Sequence, residues 1–220
     1  MTQTIDSDIV FDQFARITAA LAAPSRLKLF DRLAQGEQTV EQLADASGLS
    51  VSNTSRHLRL LAEARLVLVR RESPYVYYRI ASDEVLRFWF ALRDLSRSQL
   101  AELNQIAADL VETRDGLAPL TREELLSRMA TGEVVLLDVR PEPEYRAGHI
   151  AGALSVPLPE LEERLESLGS GKAIVAYCRG PYCMLAVDAV AALNARGLSA
   201  VRLEDGFPEW KAAGLPVQSH

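Results

Sequence analysis

Two cysteines, five positions apart, bracket the loop in Val175-Ala-Tyr-Cys178-Arg179-Gly180-Pro181-Tyr182-Cys183-Met184, and they are the only cysteines in the 220-residue chain. The run Lys172 to Tyr177 reads as a short buried strand, and Met184 to Arg196 carries apolar residues at helical spacing closed by Gly197. The loop therefore lies at a strand-to-helix turn. Amides in the first turn of a helix have no intrahelical partner and carry the positive end of its dipole. A sulfur held among them ionises more readily, and the thiolate is the reactive form. Cys178, at the strand's end, is the candidate nucleophile, and Cys183 is a candidate second thiol. Arg179, Gly180, Pro181, Tyr182 and Met184 form the rest of a candidate substrate-binding loop. The bland alternative is an inert buried cysteine, which the pairing of two thiols in one turn weakens. A metal pair fits poorly, because zinc wants four soft or imidazole ligands and the loop has no histidine. Neither a metal nor a cofactor is expected.

The elements that must position this loop alternate in type. A helix at Thr121 to Ala130 precedes the strand Val134 to Val139. A helix-like acidic stretch, Leu158 to Leu168, comes before the strand that ends at Cys178, and the strand Ala200 to Leu203 follows the next helix. Such alternation predicts an α/β domain with a parallel sheet and helices on both faces, its site beyond the carboxyl ends of the strands. Asp115-Gly-Leu-Ala-Pro119 reads as a linker, which divides the chain into domains 1–114 and 115–220.

Composition bounds the whole. No run approaches the roughly 18 apolar residues of a membrane span, and Met1 to Asp8 is polar and acidic, unlike a signal peptide. A cytoplasmic protein without a membrane partner is expected, in which two cysteines are reactive rather than a structural staple. The net charge of −6 argues against indiscriminate nucleic-acid binding, yet residues 50 to 79 hold six arginines against two glutamates. A basic island in an acidic chain suggests one face dedicated to phosphate.

That island sits in a recognisable order of elements. Ile9 to Ala23 predicts a helix with Phe11, Phe14, Ile17 and Leu21 on one face, and Pro24 opens a second helix that ends near Gly36. Thr39 and Gln42 have the spacing of a capping box for a third helix closed by Gly48, and Ser50 or Ser52 caps a fourth running to about Ala64. These last two form a helix-turn-helix. With Val51, Thr54, Leu58 and Leu61 packed inward, and Leu60 also assigned to the core, the fourth helix presents Ser52, Asn53, Ser55, Arg56 and Arg59. His57 serves packing or phosphate contact. Two alternating runs meeting at Glu72-Ser-Pro predict a β-hairpin with Arg70, Arg71, Tyr75 and Arg79, and hence a mainly α winged helix-turn-helix. A long apolar-striped helix from Ser82 or Asp83 to about Thr113 is read as a dimerisation element.

Residues 9 to 113 resemble the ArsR-type winged-helix repressors through Ala23-Pro-Ser-Arg-Leu-Lys-Leu-Phe, Gln42-Leu-Ala-Asp-Ala-Ser-Gly-Leu-Ser, Ser55-Arg-His-Leu and the Tyr-Val-Tyr-Tyr-Arg wing. The resemblance implies a homodimer on double-stranded palindromic operator DNA, with recognition helices about 34 Å apart, released by an inducing signal. The thiolate pair that the family's metal sensors carry on the recognition helix is absent, since no cysteine precedes Cys178. Residues from about 118 to 218 resemble a single rhodanese domain through Leu137-Asp138-Val-Arg140, Glu144-Tyr-Arg-Ala-Gly148-His149-Ile150-Ala-Gly-Ala, the cysteine loop and Asp205-Gly-Phe-Pro-Glu-Trp210. That resemblance implies a persulfide carried on Cys178 and cradled by loop amides. It makes Asp138, Arg140 and His149 structural or pocket-edge residues, with an Arg140–Glu144 surface pair of little weight. Thiosulfate-using loops usually end in a basic residue, and here Cys183 takes that place, leaving Arg179 to supply the charge for an oxyanion. Cys183 could then act as a resolving thiol, closing a disulfide or polysulfide on Cys178.

The expected function is a DNA-binding transcriptional repressor whose rhodanese-like domain senses or transfers reactive sulfur or redox signals through Cys178. Its small-molecule partner would be a sulfur species or oxyanion. A sulfurtransferase enzyme is the alternative, and an arsenate- or oxyanion-handling enzyme is a third.

Overall fold

A computed structural model describes residues 7–103, 105–106, 118–168 and 171–219, without the side chains of 166–168. The chain divides into two compact units, Met1–Trp89 and Phe90–His220, taken here one at a time. Among the described residues, no helix is long and apolar enough to cross a membrane.

The first unit begins with α1 (Ser7–Leu21) and α2 (Pro24–Leu33). Pro24 suits the first turn of α2, where its missing N–H removes no helical hydrogen bond. The expected capping box starts α3 (Val40–Ser47): Gln42 N donates to Thr39 Oγ1 at 3.2 Å, and Thr39 N donates to Gln42 Oε1 at 2.9 Å. Gly48, at φ +65°, ends α3 in the left-handed region that favours glycine. Ser50, and not Ser52, caps α4 (Val51–Glu63) by accepting from Asn53 N. Leu29, Phe30, Leu33, Leu43, Leu58 and Leu61 are buried at the centre, and Trp89 meets Phe30 edge-on at 5.8 Å. Two core assignments fail. Leu60 is exposed because one residue's step turns it about 100° from Leu61 and off the stripe of Thr54, Leu58 and Leu61, and Val51 is exposed at the first position of the helix.

The wing is an antiparallel pair, β2 (Val67–Glu72) and β3 (Tyr75–Ile80), in the register Val67↔Ile80 to Glu72↔Tyr75. A two-residue strand that the sequence did not suggest, β1 (Gln38–Thr39), pairs with the other edge of β3. On α1, only Leu21 of the expected face is buried, while Phe11 and Phe14 are more than 60% exposed and meet edge-on. The next helix, α5 (Asp83–Gln99), buries Trp89 and exposes Phe88 and Leu95. Its expected continuation over 107–113 lies outside the described residues, as does the linker from 115 to 117.

In the second unit, α6 (Arg122–Ala130) leads to β4 (Val134–Asp138), then α7 (Glu142–Ala147), β5 (His149–Ile150), β6 (Leu154–Ser155), a 3-10 turn and α8 (Leu161–Leu168). Next come β7 (Ala173–Tyr177), α9 (Met184–Ala195), β8 (Ala200–Arg202), α10 (Phe207–Ala212) and β9 (Val217–Gln218). The parallel sheet has the order β6-β4-β7-β8, and β5 pairs with β9 apart from it. Strand β7 alternates between two cores. Ile174, Ala176 and Cys178 join residues of α8 and α9 on one face, while Val175 and Tyr177 join Leu125, Phe207 and Trp210 on the other.

A charged group is locked into this second core. Arg140 is fully buried, donates from Nε to Asp138 Oδ1 at 2.9 Å and from Nη2 to Asp138 Oδ2 at 2.6 Å, and reaches Gly148 O at 2.7 Å. Tyr177 donates its hydroxyl to Asp138 Oδ2 at 2.6 Å and accepts from Ile150 N at 3.1 Å. Arg140 is therefore not at the surface, where a pair with Glu144, if formed, would have been of little weight. Arg140 points into the core because only there does it meet both the Asp138 carboxylate and a carbonyl oxygen. Asp138→Ala would strand that guanidinium, and should destabilise the second unit by about 3–5 kcal/mol. Urea unfolding followed by Trp210 fluorescence in a Trp89→Phe background measures it, and a loss below about 1 kcal/mol would contradict the ion pair's structural role.

Candidate functional site

The cysteine loop begins where β7 ends and closes at Cys183, the N-cap of α9. The alternation of β7 turns Cys178 inward, where it is buried, whereas Cys183 is half-buried at the loop's rim. The Cys178 thiol donates to Cys183 O at 3.3 Å and more weakly to Gly180 O at 3.9 Å. The two thiols also lie near enough to shift each other's ionisation. Backbone amides of Ala186 and Gly180 face the Cys178 sulfur, and those of Arg179 and Leu185 face the Cys183 sulfur.

These contacts divide the two thiols electrostatically. Burial pushes Cys178 well up, and the neighbouring Cys183 sulfur adds to that shift, outweighing the two amides. Cys183 is pushed down to about 6, chiefly by the hydrogen bond it accepts from Cys178, with help from the Arg179 and Leu185 amides and the Arg179 charge. The expectation that Cys178 is the ionised thiol is thus corrected. Amides do line it, but loss of water outweighs them, whereas Cys183 is shifted towards the thiolate.

Arg179 is not aimed at a ligand. Its Nε and Nη2 grip the Glu144 carboxylate from α7, with Nη2 to Oε1 at 2.6 Å, so the charge expected to hold an oxyanion is compensated inside the protein. Glu144 was not foreseen in that role, since nothing in the spacing of 144 and 179 marks a contact. The Asp205-Gly206 turn supports the loop from beneath: Phe207 N donates to Cys178 O at 3.1 Å. A Cβ on Gly206 would stand 2.3 Å from Gly180 N and 2.4 Å from the Arg179 carbonyl carbon, so only glycine lets the two backbones meet. Pro181 and Met184 are partly buried and Tyr182 is exposed. His149 is buried, stacks on Tyr145 and donates from Nδ1 to Tyr145 O at 2.9 Å, an architectural use as expected.

In the first unit, Ser52, Asn53, Ser55, Arg56 and Arg59 lie exposed on α4. His57 is half-buried, and its Nδ1 has no hydrogen-bond partner. Burial, then the charges of Arg26 and Arg56, push its pKa below 6.5, so it is neutral at pH 7. On the wing, Arg71, Tyr75 and Arg79 are exposed. Arg70 lies over the Tyr77 ring at 4.2 Å and is paired with Glu37 and Glu72, which compensate its charge.

A helix-turn-helix with a β-hairpin wing, and a parallel-sheet domain with a cysteine loop at its strand ends, define a winged-helix regulator joined to a rhodanese-like domain. The helix-turn-helix domain family matches residues 21–70, and the rhodanese-like domain family matches residues 121–213. The chain is 45% identical over 208 residues to the HTH-type transcriptional regulator Rv0324 of Mycobacterium tuberculosis, an alignment covering 94% of this chain and 91% of that protein. It is 42% identical over 82 residues to a transcriptional repressor SmtB homolog of Synechocystis sp., covering 37% of this chain and 62% of the relative. It is also 32% identical over 97 residues to a sulfurtransferase of Allochromatium vinosum, covering 43% of this chain and 89% of the relative. The chain belongs to the HTH-type transcriptional regulators and carries a C-terminal rhodanese-like domain.

Two outcomes check the loop's electrostatics. Thiolate is the reactive form and exists above the pKa, so alkylation of Cys183 should be fast at pH 7 and fall away as pH drops through about 6. In Cys178→Ala the donated hydrogen bond is gone, and the midpoint should move upward towards about 8.5. An unmoved midpoint would contradict the coupling of the two thiols. Gly206→Ala should displace the loop, slowing Cys183 alkylation at pH 7 by about tenfold or more. Wild-type alkylation in that variant would show that the close backbone approach is not required.

Proposed function

We propose that this regulator reads operator DNA as a homodimer through α4 and the β2–β3 wing, and that reaction of the Cys178–Cys183 loop with a reactive sulfur species changes that binding. The observation that carries the reading is the loop itself: a buried thiol at the end of β7 and a half-buried thiol at the N-cap of α9, in a chain that also carries an exposed polar and cationic helix face on α4. The winged-helix unit has no cysteine of its own, so any thiol-based input enters through this loop. Exposed Asn53, Arg56 and Arg59 on α4, with Arg71 and Arg79 on the wing, supply the polar and cationic groups that base edges and phosphates accept. Exposed Phe11, Phe14 and Leu95 support a second copy of the chain as the partner of α1 and α5.

Sulfur is favoured over an oxyanion because the loop's one cation is committed to Glu144. Cys178 is assigned the role of persulfide carrier, its sulfur facing the Gly180 and Ala186 amides that would hold an added sulfur atom. A second reading, turnover as a sulfurtransferase, is favoured by the likeness to a sulfurtransferase over 97 residues. It calls for the same loop chemistry.

Operator affinity measured with reduced, sulfur-loaded and Cys178→Ser protein tests the regulator. Loading should change the dissociation constant by about 5–150-fold, the range that couplings of about 1–3 kcal/mol produce, and the variant should not respond to the donor. Equal affinities in all three states would overturn it. Arg56→Ala should weaken operator binding, and unchanged binding would remove α4 from the interface.

A further inference from the structure

The two thiols of the loop differ in both access and protonation, and the difference has a direction. Cys183 is half-buried at the N-cap of α9, at the loop's outer end. Cys178 is only 3% exposed, lies in the apolar core shared by α8 and α9, and directs its S–H at the Cys183 carbonyl, 3.3 Å away. A sulfur donor with an organic group attached meets Cys183 first. Burial also raises the Cys178 thiol, while Cys183 is shifted towards the thiolate, the nucleophilic form.

On the reading that Cys178 carries the sulfur, we propose that Cys183 is the receiving thiolate. It takes sulfane sulfur from a low-molecular-weight hydropersulfide and passes it inward to Cys178. In the first step the Cys183 thiolate attacks the outer sulfur of R–S–SH. A new S–S bond forms at Cys183, the donor's S–S bond breaks, and RS⁻ departs. In the second step the Cys178 thiol attacks the outer sulfur of Cys183–S–SH as its proton passes to the departing Cys183 sulfur. The sulfur moves to Cys178, and Cys183 returns as a thiol that loses its proton to RS⁻. The sum is Cys178–SH + R–S–SH → Cys178–S–SH + R–SH, which needs no outside oxidant because the transferred sulfur keeps its oxidation level.

The donor class follows from charge. The loop's cation is held by Glu144, and a thiolate already stands at the rim. A dianionic sulfonate donor such as thiosulfate finds no compensating charge and meets repulsion, whereas a hydropersulfide carries no charge on its transferable sulfur in the protonated form. The Cys178 persulfide then lies where the Gly180 and Ala186 amides face it and bulk thiols do not reach.

Rapid-quench mass spectrometry of the full-length protein with glutathione hydropersulfide, locating the added sulfur by fragmentation, tests the order of transfer. Wild type should show the sulfur on Cys183 before Cys178. Cys178→Ser should retain it on Cys183 at a rate within about threefold of wild type, and Cys183→Ser should load Cys178 about tenfold or more slowly, as expected for a largely protonated thiol. Direct loading of Cys178 in Cys183→Ser at the wild-type rate would overturn the relay, as would the absence of sulfur on Cys183 in Cys178→Ser. The second variant keeps the test decisive if Cys183→Ser fails to fold. Wild type that takes up no sulfur at either cysteine would instead defeat the reading of Cys178 as a sulfur carrier. Loading from thiosulfate as fast as from the hydropersulfide would overturn the donor class alone.

Discussion

Two thiols in one strand-to-helix loop, one buried and one half-buried at the rim, are the arrangement on which the rest of the second unit bears. Taken singly, each cysteine would be unremarkable: Cys178 is a buried apolar thiol and Cys183 a half-buried helix cap. Placed in one loop, they shift in opposite directions, the inner sulfur towards the thiol and the outer one towards the thiolate. Desolvation penalises charge on Cys178, and the neighbouring thiol favours it on Cys183.

Much of the second unit serves to hold that loop. The buried Asp138–Arg140–Tyr177 cluster fixes the residue immediately before Cys178 and ties β4, β7 and β5 together through Gly148 O and Ile150 N. The cost of burying the guanidinium is offset by a bidentate carboxylate and a carbonyl, an arrangement worth having only where geometry must be fixed. Gly206 presses its backbone against Arg179 and Gly180 from beneath, and Glu144 pins the Arg179 side chain from the side. With its loop held on three sides, Cys178 has little freedom to leave its hydrogen bond to Cys183.

The sequence disclosed the order of elements better than their contacts. Periodicity and caps located the longer helices and strands, because Thr39–Gln42, Gly48 and the alternation in β7 are local signals, but not the short α7, α10, β5, β6 and β9. Both domain families were legible in motifs. Burial was less so: Val51 and Leu60 have the right residue type but sit at a helix start and off the stripe, and β1 is too short to show a period. Long-range pairs were not legible at all. Arg179 seemed available because its partner lies 35 residues away, and Arg70 because Glu37 lies 33 residues away. The ionised thiol was assigned to Cys178 for the same reason: amide donors are visible at a strand-helix turn, whereas the depth of burial that overrides them depends on helices α8 and α9 packing over the strand.

A regulator assembled this way separates reading from reacting. The winged-helix unit offers an uncharged His57 and exposed polar and cationic groups on α4, and the rhodanese-like unit offers one ionised sulfur. The account rests on that ionisation, which ultraviolet thiolate absorbance reports directly. Titrated with acid, wild type should lose one thiolate signal with a midpoint near 6, while Cys183→Ser should show no thiolate anywhere in the neutral range. A thiolate titrating near 6 in Cys183→Ser would place the charge on Cys178 and contradict the account.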